Sequence, residues 1–249
     1  MLDSGKNKRF WEIDFLRGIA IIMMIVYHIF FDIYFFNLYD FNIHSIGFEI
    51  FLYLIGTTFL LLVGISLTLS YNREKRNLSK NQIIKNFGLR SLKIFSLGLI
   101  ITVVTFFYLG DSFIVFGVLH CIGLSIILSI PLLKCRFVNL FLGFVFIFIG
   151  IILRNFTFDF NYLLFIGFKP YNFSTVDYFP IFPWFGVILI GIFLGNVLYK
   201  DYKRSFKLSD LSEIKIVNFL GFLGRNSLII YFLHQPIIIS IIYLLNILV

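Results

Sequence analysis

The chain has 249 residues, of which 59% are hydrophobic and only 14% are charged, and its formal net charge is +8. Soluble domains average about 45–50% apolar and about 25% charged residues, so this composition excludes a water-soluble globule and an intrinsically disordered chain. The mean hydropathy of +0.95 instead predicts a protein whose solvent is the lipid bilayer.

Long apolar runs separated by charged residues predict about seven membrane-spanning helices, because a helix needs about 20 apolar residues to cross the hydrocarbon. The runs lack the alternating ten-residue pattern of an outer-membrane barrel. The sequence therefore predicts an all-α, polytopic membrane helical bundle that forms one domain over residues 1–249. Its helices are expected near 16–38, 47–71, 92–109, 114–133, 138–153, 180–199 and 227–248.

The distribution of positive charge predicts a cytoplasmic N-terminus. With that orientation, 19 of the 21 lysines and arginines fall on the inner side, and only Arg154 and Lys169 lie outside. Basic loops are retained in the cytoplasm, so the net charge reports topology and predicts no nucleic-acid partner. The segment 208–224 is expected to lie on the inner surface as an amphipathic stretch.

The first helix carries a stripe of polar residues, Asp14, Arg17, His28 and Asp32, within about 60° of one another at 100° per residue. Ionisable groups inside a membrane are costly, and they usually face a cavity or a partner. Arg17 lies roughly 16 Å along the axis from His28. The stripe predicts a charged entrance near the cytoplasm and a base deep inside the membrane.

A packing role is the alternative interpretation of this stripe. In that case Asp14 and Arg17 form an interfacial ion pair, and His28 bonds Asp32 or a neighbouring carbonyl.

The other histidines lie in three different segments. His120 lies in the fourth predicted helix, where a packing role is the alternative to catalysis. His44 lies in the first outer loop, and His234 lies in the last helix. His234 shares a helical face with Tyr231 and Ser227, just after Arg225. The small residues Gly191 and Gly195 of the sixth helix predict close helix packing.

Motifs for nucleotide hydrolysis, hydride transfer and zinc binding are missing from the sequence, so no metal is expected. Acid–base or acyl-transfer chemistry therefore remains as the expected type of reaction.

Four segments spread over nearly the whole chain form a recognisable set: Arg9 to Asp32, Phe116 to His120, Phe182 to Gly186, and Leu223 to Pro236. Together they resemble the prokaryotic relatives of heparan-α-glucosaminide N-acetyltransferase. The spacing of Arg17 and His28 is also similar to the arginine–histidine signature of the membrane acyltransferase 3 superfamily.

The resemblance implies that acyl-CoA enters from the cytoplasm and that an amine or hydroxyl, commonly of a sugar, is acylated on the other side. It implies His28 as the active-site histidine and Arg17 as a contact near the CoA entrance. His44 occupies a place comparable to that of the proposed catalytic histidine in the eukaryotic enzyme.

The predicted function is a multi-pass plasma-membrane O- or N-acyltransferase that uses acetyl-CoA or another acyl-CoA as co-substrate. The catalytic candidates are His28, Asp32, His120, His234 and His44. The candidates for binding acyl-CoA are Arg17, Asp14, Arg225, Ser227 and Tyr231. The sequence leaves open direct transfer or an acyl-histidine intermediate.

The expected partners are the lipid bilayer, acyl-CoA and a glycan or other small acceptor, and a homodimer is left open. A proton-coupled transporter is the alternative function, because buried histidines and carboxylates also serve carriers. An inert scaffolding protein of the membrane is the third functional hypothesis.

Overall fold

The computed structural model describes residues 9–43 and 45–247, which form eight α-helices. The only regular strands in this part of the chain are two two-residue segments, β1 (Thr157–Phe158) and β2 (Lys169–Pro170), which pair in parallel. The helices are α1 (Trp11–Phe35), α2 (Ile46–Glu74), α3 (Lys80–Leu109), α4 (Val118–Ser129), α5 (Arg136–Leu153), α6 (Ile181–Leu198), α7 (Lys215–Arg225) and α8 (Ser227–Ile247).

Six of the described helices are long and apolar enough to cross a membrane: α1, α2, α3, α5, α6 and α8. The prediction of an all-α, polytopic membrane bundle is thereby confirmed. The fourth predicted span, 114–133, is the exception. Its apolar helical segment is only Val118–Leu132. This is shorter than a helix that crosses the membrane at a right angle, which needs about 20 residues.

The third helix begins at Lys80, twelve residues before the predicted start at 92. Ser79 caps it, because its hydroxyl accepts a hydrogen bond from the Gln82 backbone N–H and its own N–H donates to the Gln82 side chain. The first turns are charged and polar, so a search for apolar runs passed over them. The capping pair Ser79 and Gln82 was the sequence signal for the true start.

The described residues form two compact units. The terminal unit comprises the described residues within Met1–Phe59 and Leu208–Val249. The central unit is Leu60–Lys207. The prediction of a single domain over 1–249 stays a prediction.

The terminal unit contains α1, the first part of α2, α7 and α8. Helix α7 packs directly on the backbone of α1, where a Cβ added to Gly224 would lie 1.8 Å from the Asp14 carbonyl oxygen. Helix α8 packs along the later turns of α1. The polar stripe of α1 is therefore covered by α7 over its first half and by α8 over its second half. The predicted amphipathic stretch 208–224 contains most of α7.

The central unit is built from the rest of α2 and from α3 to α6. Helix α6 crosses α2 closely, since a Cβ added to Gly191 would lie 2.3 Å from the Leu61 carbonyl oxygen, and one added to Gly195 would lie 2.8 Å from Thr68 Cβ. The predicted packing role of Gly191 and Gly195 is confirmed. Elsewhere in the unit, α5 packs on α6, and α3 packs on α4.

Candidate active site

Two imidazoles meet between α1 and α8 in the terminal unit. The ring centroids of His28 and His234 lie 4.6 Å apart, with the rings nearly perpendicular. His28 Nδ1 lies 2.8 Å from the Met24 carbonyl oxygen, and His234 Nδ1 lies 2.6 Å from the Tyr231 carbonyl oxygen. A carbonyl oxygen only accepts, so each Nδ1 carries the proton and each neutral ring presents a lone pair on Nε2. Both rings are thus oriented as bases.

Beside the two histidines, the Asp32 carboxylate receives a fork of hydrogen bonds from Gln235. Gln235 Nε2 lies 2.7 Å from Asp32 Oδ1 and 2.9 Å from Oδ2, and Asp32 is only 2% exposed. Of the two packing partners expected for His28, Asp32 or a neighbouring carbonyl, the structure shows the carbonyl, that of Met24. His28 reaches back to Met24, and Asp32 bonds across to α8.

The first turns of α1 carry the predicted ion pair, with Arg17 Nη1 3.0 Å from Asp14 Oδ1. The charges of Arg9 and Arg225 also act on the Asp14 carboxylate, as does that of Glu12, so three guanidinium groups act on a pair of buried acids. Ser227, another candidate for acyl-CoA, begins α8 just after this cluster. The net positive charge fits the phosphates of a nucleotide.

An apolar cluster separates the basic end of α1 from the histidine pair. Ile21 and Met24 are buried on α1 and pack with Ile55 of α2, and Tyr231 lies against the same cluster. Tyr231 also holds His234 through its carbonyl, and the two rings are 5.6 Å apart. The predicted Arg17-to-His28 path therefore runs past packed apolar side chains.

His120 lies in the central unit, at the first turn of α4. Its Nδ1 accepts a hydrogen bond from the Gly117 backbone N–H at 3.2 Å, and its Nε2 lies 3.4 Å from Thr102 Oγ1. The threonine hydroxyl donates to the Ile114 carbonyl, so the imidazole N–H donates to the threonine oxygen. Both nitrogens are occupied in a helix cap. The catalytic role of His120 stays a prediction.

Asp177 is a second cap on α4 that the sequence analysis did not single out. Its Oδ2 accepts from the Val118 backbone N–H at 3.2 Å, where the helix dipole favours a negative charge. Burial nevertheless raises the pKa of Asp177 to about 6 from its ordinary value of 3.8, because the environment disfavours the charged form.

We expect Asp177→Asn to remove a pH dependence of stability. The folded state binds the proton of the Asp177 carboxyl more tightly than the unfolded state does. The stability that this proton adds to the folded state is therefore fully present below about pH 4 and is lost as pH rises through about 6. Asparagine keeps the acceptor for Val118 but does not ionise. The melting temperature of the variant should therefore rise relative to that of the wild type between about pH 4.5 and about pH 7.5. The corresponding change in the free energy of unfolding is about 1–3 kcal/mol.

The matched control for this experiment is Asp159→Asn, which changes an exposed carboxylate of the same connection. Melting curves in lipid nanodiscs over the same pH series provide the measurement. A constant difference between Asp177→Asn and wild type at every pH would contradict the prediction.

The structure brings His28, Asp32, His234 and Tyr231 together in one unit, and it adds Gln235, which the sequence analysis passed over. A polar side chain in the middle of an apolar run was the signal for Gln235. His44, also predicted as catalytic, lies outside the described residues.

Comparison with known proteins identified one family. The family model described as "Heparan-alpha-glucosaminide N-acetyltransferase, catalytic" matches residues 9–236. No curated protein and no solved structure matched the chain significantly. The family match covers α1 to the Pro236 turn of α8, and it includes the whole cluster between these two helices.

Proposed function

The chain belongs to the heparan-alpha-glucosaminide N-acetyltransferase catalytic family, and from this premise we propose a specific form of its membrane acetyltransferase-type function. It moves an acyl group, acetyl first of all, from cytoplasmic acyl-CoA to an amine or hydroxyl of a sugar-type acceptor outside the plasma membrane. The observation that carries the proposal is the pair formed by half-buried His28 and buried His234, in which each Nδ1 is anchored and each Nε2 has a lone pair.

In this proposal His28 is the general base. Its Nε2 removes a proton as the acceptor attacks the thioester carbonyl carbon, the C–S bond breaks, and the thiolate takes a proton back. Asp32 lies one helical turn away, where its negative charge stabilises the imidazolium that forms. His234 can donate to the developing oxyanion only after it has gained a proton, since its Nδ1–H is already bonded to Tyr231.

The basic end of α1 is the proposed site for the phosphates of acyl-CoA. Arg9, Arg17 and Arg225 supply the positive charge there. The pantetheine arm then follows α1 toward His28, and it must displace side chains of the Ile21–Met24 cluster to do so. Methionine is flexible and polarisable, so Met24 is suited to such a movement.

Thiol release by the purified protein tests the proposal. We expect protein in lipid nanodiscs to release free CoA thiol from acetyl-CoA when D-glucosamine is added, and to release little without the acceptor. Bound CoA should also raise the melting temperature, because a ligand that binds only the folded state stabilises it.

The same preparation distinguishes the alternatives. Flux of a solute into proteoliposomes without acyl-CoA, together with absent thiol release, would favour the transporter and contradict the proposal. No thiol release, no flux and no stabilisation by CoA would favour an inert scaffold.

A further inference from the structure

The connection between α5 and α6, residues 154–180, contains a cluster of packed aromatic side chains. Phe158 packs against Phe160 and Phe168, with ring centroids 5.4 Å and 4.8 Å away. Tyr162 stacks on Phe160 at 4.8 Å, and Phe158 also belongs to β1, which pairs with β2. The connection therefore has a packed structure of its own, and we call these four residues the aromatic cluster.

The same connection exposes large aromatic side chains next to the exposed end of α5. Phe156 is 55% exposed, Tyr171 is 61% exposed and Tyr162 is 71% exposed. Ile151 and Ile152, in the last turn of α5, are exposed as well, and α5 is apolar enough to lie in the hydrocarbon. Aromatic rings with a polar edge concentrate where the hydrocarbon meets the headgroups. This boundary is therefore the environment that fits the connection.

Two basic side chains lie at this boundary. Arg154 directly follows α5, and the pairing of β1 with β2 places Lys169 beside Thr157, three positions after Arg154. Lys169 Nζ lies 5.3 Å from the centre of the Tyr178 ring. Burial and the nearby charge of Arg154 lower the pKa of Lys169 from its ordinary value of 10.5, and no carboxylate among the described residues forms an ion pair with this lysine. The charges at this boundary therefore favour an anionic ligand.

We propose that Lys169 and Arg154 bind the headgroup phosphate of an anionic phospholipid beside the aromatic cluster. Ammonium and guanidinium groups form strong, charge-assisted hydrogen bonds with phosphate oxygens. The exposed rings and the exposed end of α5 favour a lipid over a free anion, because only a lipid also brings acyl chains that cover apolar surface. In the predicted orientation, this lipid belongs to the outer leaflet. The inference goes beyond the proposed transferase function and does not depend on it.

Tryptophan fluorescence in lipid nanodiscs tests the inference at the site itself. In the reporter variant Tyr171→Trp, a nitroxide on the headgroup of phosphatidylcholine should quench the added tryptophan, once the signals of Trp11 and Trp184 are subtracted. Unlabelled phosphatidylglycerol should relieve this quenching at a lower mole fraction than unlabelled phosphatidylcholine does, because it displaces the labelled lipid from Lys169. The ratio of the two mole fractions measures the preference for the anionic lipid.

Lys169→Gln, added to the reporter variant, removes one of the two cations. We expect the preference for phosphatidylglycerol to fall about fivefold, because a basic side chain near a membrane surface contributes about 1 kcal/mol of attraction to anionic lipid. Arg154→Gln should cause a loss of similar size. Phe137→Trp, at the opposite end of α5, is the matched reporter, and its lipid preference should not change when Lys169→Gln is added.

Three results would overturn the lipid site. An unquenched reporter in folded Tyr171→Trp would show that the connection lies away from the headgroups. An unchanged preference after both Lys169→Gln and Arg154→Gln would show that these cations bind no headgroup. Loss of the preference when sn-glycerol 3-phosphate is added at the lipid concentration would favour a free phosphate monoester as the ligand. If Tyr171→Trp does not fold, Tyr162→Trp is the second reporter, since Tyr162 is also exposed.

Discussion

His28→Ala is expected to lower acyl-CoA-dependent thiol release by about 100-fold or more, because the general base that removes the acceptor proton is lost. The geometry makes this residue the sharpest test among the histidines. Its ring is held by Met24 on one nitrogen, has the other available for chemistry, and lies 4.6 Å from the His234 ring. The measurement is kcat for thiol release at saturating acetyl-CoA and glucosamine.

Two checks make the His28 experiment decisive. Ile29→Ala changes the next residue of α1, whose side chain is exposed, and it should leave kcat close to that of the wild type. The melting temperature of His28→Ala in nanodiscs shows whether the bundle still forms. A folded His28→Ala protein that keeps more than about a tenth of the activity would contradict the role of general base.

The spans were predictable because the bilayer sets a strict requirement on length and polarity. That requirement says nothing about helical residues outside the hydrocarbon, so the polar start of α3 at Lys80 was missed. For the same reason, the predicted ends of α4 were wrong. The Phe116 carbonyl there accepts a hydrogen bond from the Phe179 backbone N–H in the loop, and Pro131 lies within the closing 3₁₀ turn. Local tertiary contacts shortened this segment below its apolar run.

The polar residues of the site were predictable one by one, but their partners were not. Spacing along a helix identifies neighbours on that helix, so it paired Asp32 with His28. The actual partner, Gln235, is 203 positions away, and only the packing of α8 on α1 brings it there. His120 also appeared as a candidate because a histidine in an apolar run looks functional, whereas its bonds to Gly117 and Thr102 depend on how α3 meets α4.

Gly224→Ala is expected to be among the most damaging single-methyl changes in the terminal unit. An added Cβ would lie 1.8 Å from the Asp14 carbonyl oxygen and 3.0 Å from the Gly18 nitrogen. Both are backbone atoms of α1, which cannot turn aside as a side chain can, so α7 must move away. We expect a loss of about 3 kcal/mol, seen as a fall of about 10 °C in melting temperature.

Gly221→Ala, one turn earlier on α7, separates this steric effect from the general consequence of replacing glycine. Its added Cβ would meet only Arg225 Nη1, at 3.2 Å, and a flexible guanidinium can move. Because alanine favours the helix by up to about 1 kcal/mol over glycine, Gly221→Ala should be neutral or slightly stabilising. Equal melting temperatures for the two variants would show that α7 is not fixed to α1 through Gly224. If α7 does move in Gly224→Ala, Arg225 leaves Asp14, and the KM for acetyl-CoA should rise in whatever fraction remains folded.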